Sequence, residues 1–468
     1  MIKYLFIIVF FFSCNSQEIK NEKKSNLKTI KDVSSLVNIF PFTNSNISKH
    51  KGAIRDSLGI PMLSYNEKLF YYPVQYTQIP LSYFANYIET QDESVKDEFL
   101  VMANFIKDNL KAYDGFSVWE CNENIRGYKM SLPWSSSMAQ GFGIGVMLQA
   151  YSLTDENSFL KAANSAVNAY KYNIKEHGVK SNWNGNDFYE EYADPNSHVL
   201  NGYIFSLAGL YYHYQYTNDE HSKSLFDNGI ETLKLNINEY DADFTSFYGK
   251  LSYKEYQYAS AINEDPDHYH ELVIYQLLML YHWTGEKIFY NYAHKFLQQD
   301  TGEVTDFYEK SKFNNINATH SIEPNNYGVE NLNDELWSWG KYWSTNKFPT
   351  ELVIEKDLEM KNISELVFYS ISEESIPEDF EVYIFKSNKW ELIFSSDNQS
   401  HTYLHKYNTG KYNTYIKGFS LKEKFNSKKI KIKFIKNSSN LVTLREVNVF
   451  FDRYNELDFI YESIEKKQ

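Results

Sequence analysis

The run Val199-Leu200-Asn201-Gly202-Tyr203-Ile204-Phe205-Ser206-Leu207-Ala208-Gly209-Leu210-Tyr211-Tyr212-His213-Tyr214 places apolar side chains three and four residues apart, the spacing of a buried helix. It opens on Asn201-Gly202 and follows an acidic aromatic block, Asp187-Phe188-Tyr189-Glu190-Glu191-Tyr192. The same periodicity recurs in Met138 to Tyr151, Phe159 to Tyr170, Ile230 to Ile237, Leu272 to Trp283 and Ile288 to Phe296. Polar connections such as Thr154-Asp155-Glu156-Asn157 and Thr217-Asn218-Asp219-Glu220 can supply caps and turns, which predicts antiparallel helical hairpins.

A succession of such hairpins commonly closes into a toroid, the (α/α) barrel, with loops at one end around a cleft; that step is an analogy, because no exact sequence repeat is visible. After about Thr301 the texture changes to short alternating runs: Glu351 to Ile354, Glu365 to Tyr369, Glu381 to Phe385, Trp390 to Phe394, Lys429 to Phe434 and Val447 to Phe451. These read as strands of a β-sandwich. Lys429, Lys431 and Lys433 alternate with Ile430, Ile432 and Phe434, so one face is expected to be buried and the lysine face solvated rather than an anion site. The fold class expected is therefore multidomain α and β, a helical (α/α) barrel toroid followed by a β-sandwich.

A length of 468 residues, 43% of them hydrophobic, is enough for more than one core. The aromatic share of 17% suits both packed cores and platforms for sugar rings. A net charge of -14 argues against a nucleic-acid partner, which needs a clustered basic surface. An acidic ligand would have to be met by a few local cations in a cleft.

Met1 to Phe12 carries one cation, Lys3, and an apolar run closed by Ser13-Cys14, which reads as a signal peptide too short to span a membrane. Phe11-Phe12-Ser13-Cys14 resembles a bacterial lipobox, which implies lipidation at Cys14, a polar tether and a chain that is exported and held at the membrane through lipid only. Cys121 is then the single cysteine of the mature chain, and no internal disulfide is expected. The boundaries expected are residues 1–13 signal peptide, 14–50 tether, 51–305 helical domain and 306–468 sandwich. Oligomeric state is left open between a monomer and a homodimer.

Phosphate loops, metallohydrolase helices and serine nucleophile elbows are absent from the sequence. Gly141, Gly143 and Gly145 lack a following Lys-Ser or Lys-Thr and suit close helix packing. His268 and His270 have no third ligand at a fitting spacing, so no metal is assigned. By chemistry alone the block from Asp187 to Tyr192 reads as an acidic loop with partly packed phenols. Its neighbours give it another meaning: Trp134 and Met138-Ala139-Gln140-Gly141 upstream, His177-Gly178-Val179-Lys180 before it and Val199-Leu200-Asn201-Gly202 after it.

With Tyr72-Pro73-Val74-Gln75, Tyr269-His270 and Gln276-Leu277, these motifs resemble the catalytic C-terminal domain of D-glucuronyl C5-epimerases from about Tyr72 to Phe296. The resemblance implies a helical barrel, a uronate polysaccharide substrate of heparan or heparosan type, and three site tyrosines carried over to Tyr192, Tyr248 and Tyr269. It further implies Glu191 as the group orienting a phenol or hydroxyl, with Asn201, His270, Gln140, Trp134 and Tyr72 in substrate contact. The family usually has an arginine three residues after the position of Tyr248; here that place is Leu251, and Lys250 is the candidate substitute charge. Asn331-Leu332-Asn333-Asp334, Tyr342-Trp343-Ser344, Trp390 and Leu444-Arg445-Glu446-Val447 resemble a discoidin-type, galactose-binding-like domain, which implies a carbohydrate-binding module or a structural companion.

Phenols suit the implied chemistry. Loss of the C5 proton of a uronate builds charge beside an existing carboxylate, and a base on one face with an acid on the other inverts the centre. The expected pair is Tyr192 and Tyr269, with Tyr248 binding substrate or donating the proton, and no metal or organic cofactor is required. The same first step followed by expulsion of the 4-linked sugar would make the chain a polysaccharide lyase. A third reading is a non-catalytic glycan-binding lipoprotein, for which Leu251 is the argument.

Overall fold

The computed structural model describes residues 43, 45–125, 128, 130–250, 269–300, 313–333, 341–396, 401–408 and 413–467. Cys14 and the leader, His268, Leu251 and Asp334 lie outside the described residues. The chain divides into two compact units, Met1–Asn236 with Gly249–Ala259 and Lys467–Gln468, and Ile237–Tyr248 with Ser260–Lys466. This cut differs from the change of texture near residue 305. The described residues contain no helix long and apolar enough to cross a membrane.

In the first unit six helices form three hairpins: α1 (Pro73–Thr90) with α2 (Glu93–Asp108), α3 (Ser137–Thr154) with α4 (Asn157–Val167), and α5 (Leu200–Thr217) with α6 (Glu220–Asn236). Helices α1, α3 and α5 pack side by side, and α2, α4 and α6 back them. The sequence explains the layering. α3 and α5 bury almost every residue of their first three turns, whereas α2 and α4 bury only one stripe. Close approach of α3 and α5 depends on glycine: a Cβ on Gly141 would lie 2.6 Å from the Phe205 carbonyl oxygen, and one on Gly209 2.4 Å from Gly141 Cα.

The second unit holds α7 (Glu271–Thr284) and α8 (Lys287–Gln299), another hairpin. All four hairpins turn on one local device. Thr90, Thr154, Thr217 and Thr284 end their helices, and each hydroxyl donates back to the carbonyl four residues earlier at 2.6–2.8 Å. The next residue, Gln91, Asp155, Asn218 or Gly285, is left-handed at φ 53–72°. The following acid, Asp92, Glu156, Asp219 or Glu286, then donates its N–H to the threonine oxygen at 3.2–3.3 Å. The repeat that exact sequence comparison misses is therefore present in the turns, where only threonine and the acid recur.

The second unit also holds an eight-stranded antiparallel sheet. After the first unit's hairpin of β1 (Lys180–Trp183) and β2 (Asn186–Tyr189), the strands of the sheet are β3 (Asn315–Ala318), β4 (Trp343–Thr345), β5 (Thr350–Ser370), β6 (Asp379–Lys386), β7 (Lys389–Ser395), β8 (Tyr403–Asn408), β9 (Asn413–Lys436) and β10 (Val442–Asp452). They run in the order β4-β10-β5-β9-β6-β7, with β8 also on β9 and β3 also on β5. The expected strands Glu351 to Ile354 and Glu365 to Tyr369 are the two ends of the single long strand β5, whose register against β9 shifts between Glu355 and Glu365. Bulges there let the strand bend so that both ends enclose one core containing Leu352, Ile354, Phe368, Phe380, Phe419, Ile432 and Val449.

Lys429, Lys431 and Lys433 pair with Glu355, Glu351 and Glu381 at 2.8, 3.2 and 3.4 Å, so the lysine row is a neutralised sheet face. Helix α8 belongs with this unit because β10 and the residue after it hold its end: Arg453 donates to the Leu297 carbonyl, Gln298 to the Phe451 carbonyl at 2.7 Å and Asn448 to the Gln299 carbonyl at 3.3 Å. A final helix, α9 (Tyr454–Lys467), buries Leu457, Ile460 and Ile464 and stacks Tyr454 on His294 at 3.6 Å.

Candidate active site

The acidic aromatic block leaves a tight hairpin. Strands β1 (Lys180–Trp183) and β2 (Asn186–Tyr189) are joined by Asn184-Gly185, both at positive φ (53° and 89°), the geometry that an Asn-Gly pair adopts at low cost. Phe188 stacks on Tyr203 at 4.0 Å, and Tyr189 donates its hydroxyl to the Leu225 carbonyl at 2.8 Å. Burial pushes the Tyr189 phenol well above its ordinary value. Of the two phenols flanking the acids, Tyr189 is thus a packing residue.

Beyond β2 the chain runs through a loop to α5. Glu190 is fully buried and accepts from Ser181 Oγ at 2.5 Å, Ser197 Oγ at 2.8 Å and the His198 backbone N–H at 3.0 Å. Glu191 lies over the first turn of α5, where a Cβ on Gly202 would stand 2.2 Å from its Oε2. A carboxylate there faces the positive end of the helix. Asn201, in the same turn, is buried. The Tyr192 ring stacks on Tyr128 at 4.2 Å and lies against Trp134 at 5.9 Å. Trp134 is fixed by its indole N–H, which donates to the Glu123 carbonyl at 3.0 Å. Lys250 donates its backbone N–H to the Ser197 carbonyl at 2.9 Å and sets its ammonium 6.0 Å from the centre of the Trp183 ring. The first unit therefore gathers Tyr192, Glu191, Asn201, Trp134 and Lys250 around the loop from Glu190 to His198.

Two expected substrate contacts are corrected. Gln140 accepts from Trp119 N and donates to the Ser117 and Ala166 carbonyls at 3.0–3.1 Å, so its amide is spent on the scaffold. His270, in the second unit, is fully buried; its Nδ1 accepts from the Ser246 backbone N–H at 3.0 Å and its Nε2 donates to the Phe296 carbonyl at 2.8 Å. Desolvation pushes this imidazole down to about 4, so it is neutral near pH 7 and has no nitrogen left for a substrate carboxylate. What it does is hold the segment ending in Tyr248, which meets Tyr269 edge-to-face at 5.1 Å. Tyr72 stands immediately before α1, half-buried, with its ring edge on Phe70 at 6.4 Å.

Sequence reasoning passed over Tyr128, Ser181, Ser197 and His198. The Asn184-Gly185 pair between two alternating runs was the available signal for the hairpin that brings Ser181 to Glu190.

Residues 113–298 match the family model described as D-glucuronyl C5-epimerase C-terminus. The stretch includes Trp134, the Glu190 to His198 loop, Tyr248 and Tyr269, and leaves out Tyr72. Over 176 residues, 34% of this chain and 28% of the relative, it is 33% identical to the D-glucuronyl C5-epimerase of Caenorhabditis elegans. Over 185 residues, 38% of this chain and 57% of the relative, it is 28% identical to an uncharacterized protein of Methanocaldococcus jannaschii. The chain thus spans under a third of the first relative's length and little more than half of the second's. Among solved structures, the family 32 carbohydrate-binding module of C. perfringens NanJ in complex with galactose is similar over 29% of this chain and 92% of its own, at 14% identity and TM-score 0.23. The corresponding module of AlyQ in complex with 4,5-unsaturated mannuronic acid is similar over 30% of this chain and 95% of its own, at 16% identity and TM-score 0.21. The resemblance to the epimerase C-terminal domain read from the motifs is shown for this segment.

Proposed function

We propose that the protein is a uronate C5-epimerase that converts glucuronate-type to iduronate-type residues in an acidic polysaccharide, by tyrosine-mediated removal and return of the C5 proton. The family match over residues 113–298 carries this reading, because it covers the loop of Tyr192 and both Tyr248 and Tyr269. The base is assigned to Tyr192, since its companion Tyr189 is locked onto a backbone carbonyl. The Tyr128 ring stacks on the face of the Tyr192 ring at 4.2 Å. Glu191 orients a phenol or hydroxyl, Lys250 supplies charge toward the uronate carboxylate, and the Tyr248 and Tyr269 phenols serve as donors. This route calls on no metal or organic cofactor. A helical barrel built from the hairpins, glycan binding by the sandwich, and export with a lipid on Cys14 belong to the same proposal.

The test is incubation with heparosan, alginate and other uronate polymers in deuterated water. Deuterium at C5 without chain shortening is the expected result. Ultraviolet-absorbing unsaturated ends would instead make the chain a lyase, and no reaction with any polymer would leave a glycan-binding protein.

A further inference from the structure

Glu190 is a carboxylate with no access to solvent, placed one residue before Glu191 and two before Tyr192. Isolated carboxylates are costly to bury, so one that is kept buried must be answered by donors. Here the donors come from both sides of the loop. Ser181 Oγ belongs to β1, while Ser197 Oγ and the His198 N–H belong to the segment that enters α5. His198 Nδ1 lies a further 2.7 Å from Glu190 Oε1.

His198 also has φ 38°, in the left-handed region that a residue with a Cβ occupies only when its surroundings hold it there. Glu190 does so from one side. From the other, the imidazole is stacked on Trp183 at 4.6 Å and edged by Phe188 at 4.7 Å. The backbone of Glu190 is anchored as well, its N–H donating to Val179 O and its carbonyl accepting from Ser137 N, both at 2.8 Å.

We infer that Glu190 is a positioning residue: it clasps the two ends of the 190–198 loop and thereby sets both Tyr192 and Lys250. The route to Tyr192 is short. Ser197 Oγ, held by Glu190, also reaches the Tyr192 carbonyl at 3.2 Å, and the Asp194 N–H donates to that carbonyl at 2.6 Å. Lys250 is reached twice. Its N–H is fixed by the Ser197 carbonyl, and its ammonium sits over the same Trp183 ring that carries His198. A Cβ on Gly249 would come within 2.6 Å of the Ser197 carbonyl oxygen, so the strand of chain bearing Lys250 lies directly against the clasp.

The catalytic part of this inference rests on the epimerase reading; the structural part does not, and the experiment separates them. Glu190→Gln keeps the shape and presents an amide NH2 to groups that are themselves donors. In the folded variant, backbone amide hydrogen exchange across residues 191–198 should accelerate at least tenfold while the amides of Tyr203 to Leu210 keep their protection. On a uronate polymer the C5 deuterium wash-in should lose about a hundredfold in kcat, with KM within about threefold, because a displacement of about 1 Å in a reacting group costs on that order. If Glu190→Gln does not fold, Ser197→Ala, which removes one donor and no bulk, should show the same local exchange and a kcat loss of about tenfold. Unchanged exchange at 191–198 in the folded variant, or a loss shared evenly by KM and kcat, overturns the clasp. A wild-type protein that exchanges no C5 hydrogen, with local exchange still responding to Glu190→Gln, overturns the epimerase reading and leaves the clasp standing.

Discussion

The 190–198 loop and the lysine row of β9 each carry three formally charged side chains, and the fold treats them oppositely. In β9 the charges alternate with Ile430, Ile432 and Phe434, so the pleat sends them all to one face, where Glu351, Glu355 and Glu381 neutralise them within reach of water. In the loop, Glu190 and Glu191 are adjacent, and both are buried with donors or a helix end to meet them. Exposed pairs of the first kind contribute little and tolerate change. Groups of the second kind are tied to geometry and to stability.

Several substitutions sharpen that contrast. Among the substitutions around the loop, after Tyr192 itself, the largest effect is expected for Gly202→Ala, whose Cβ would collide with Glu191 Oε2 and Cβ. C5 exchange should fall about a hundredfold. The thermal midpoint should move little, because a helix-propensity gain of about 1 kcal/mol offsets part of an overpacking cost of about 1–3 kcal/mol. An unchanged rate would mean that the position of Glu191 does not matter. Next is Gly141→Ala, where the obstacle is the Phe205 backbone rather than a side chain. Denaturant unfolding should show a loss of about 1–3 kcal/mol, with exchange chemistry preserved in the remaining folded protein.

A pH effect of similar size is expected from His213. Buried between Asn164 and Ser222, its imidazole is pushed by desolvation from 6.5 down to about 4. Between those values the unfolded chain binds more protons than the folded one, so stability rises with pH there. Its contribution is complete above about 6.5 and is lost as pH falls toward 4. Measured against His213→Gln, the wild-type protein should lose on the order of 3 kcal/mol across that window. In the second unit Glu365, raised to about 7 by burial, titrates in the opposite sense: its contribution is present at low pH and fades as pH rises through 7. The smallest effect is expected for Lys433→Gln, whose partner Glu381 is partly exposed. Its unfolding free energy should stay within about 0.5 kcal/mol of wild type, and a loss of several kcal/mol would show that the row is not a solvated face.

Much of this was legible in the sequence where periodicity carries the information. Helices α3 to α8 and the alternation in β9 are read directly from spacing, because period 3.6 and period 2 decide which side chains are buried; α1, α2 and α9 are not among the runs singled out. The functional region was legible only through its neighbours. Within it, the division of labour was hidden: that Tyr189 is held by the scaffold depends on the ending of β2 at Tyr189 and on a carbonyl at Leu225. The scaffold hydrogen bonds of Gln140 and His270 were hidden for the same reason. Their partners are backbone groups of Ser117, Trp119, Ala166, Ser246 and Phe296, which no local pattern announces.

The most direct measurement compares Tyr192→Phe with Tyr189→Phe for deuterium incorporation at C5 of a uronate polymer. Each change removes one oxygen and keeps the ring. Tyr192→Phe should lower the exchange rate about 10²–10⁴-fold, the scale of a general acid–base contribution. Tyr189→Phe should stay within about threefold of the wild-type rate and lose about 1–3 kcal/mol of stability, because it strands the Leu225 carbonyl. Wild-type exchange in Tyr192→Phe, or an equal collapse in both variants, would contradict the assignment of Tyr192 as the proton-transferring phenol.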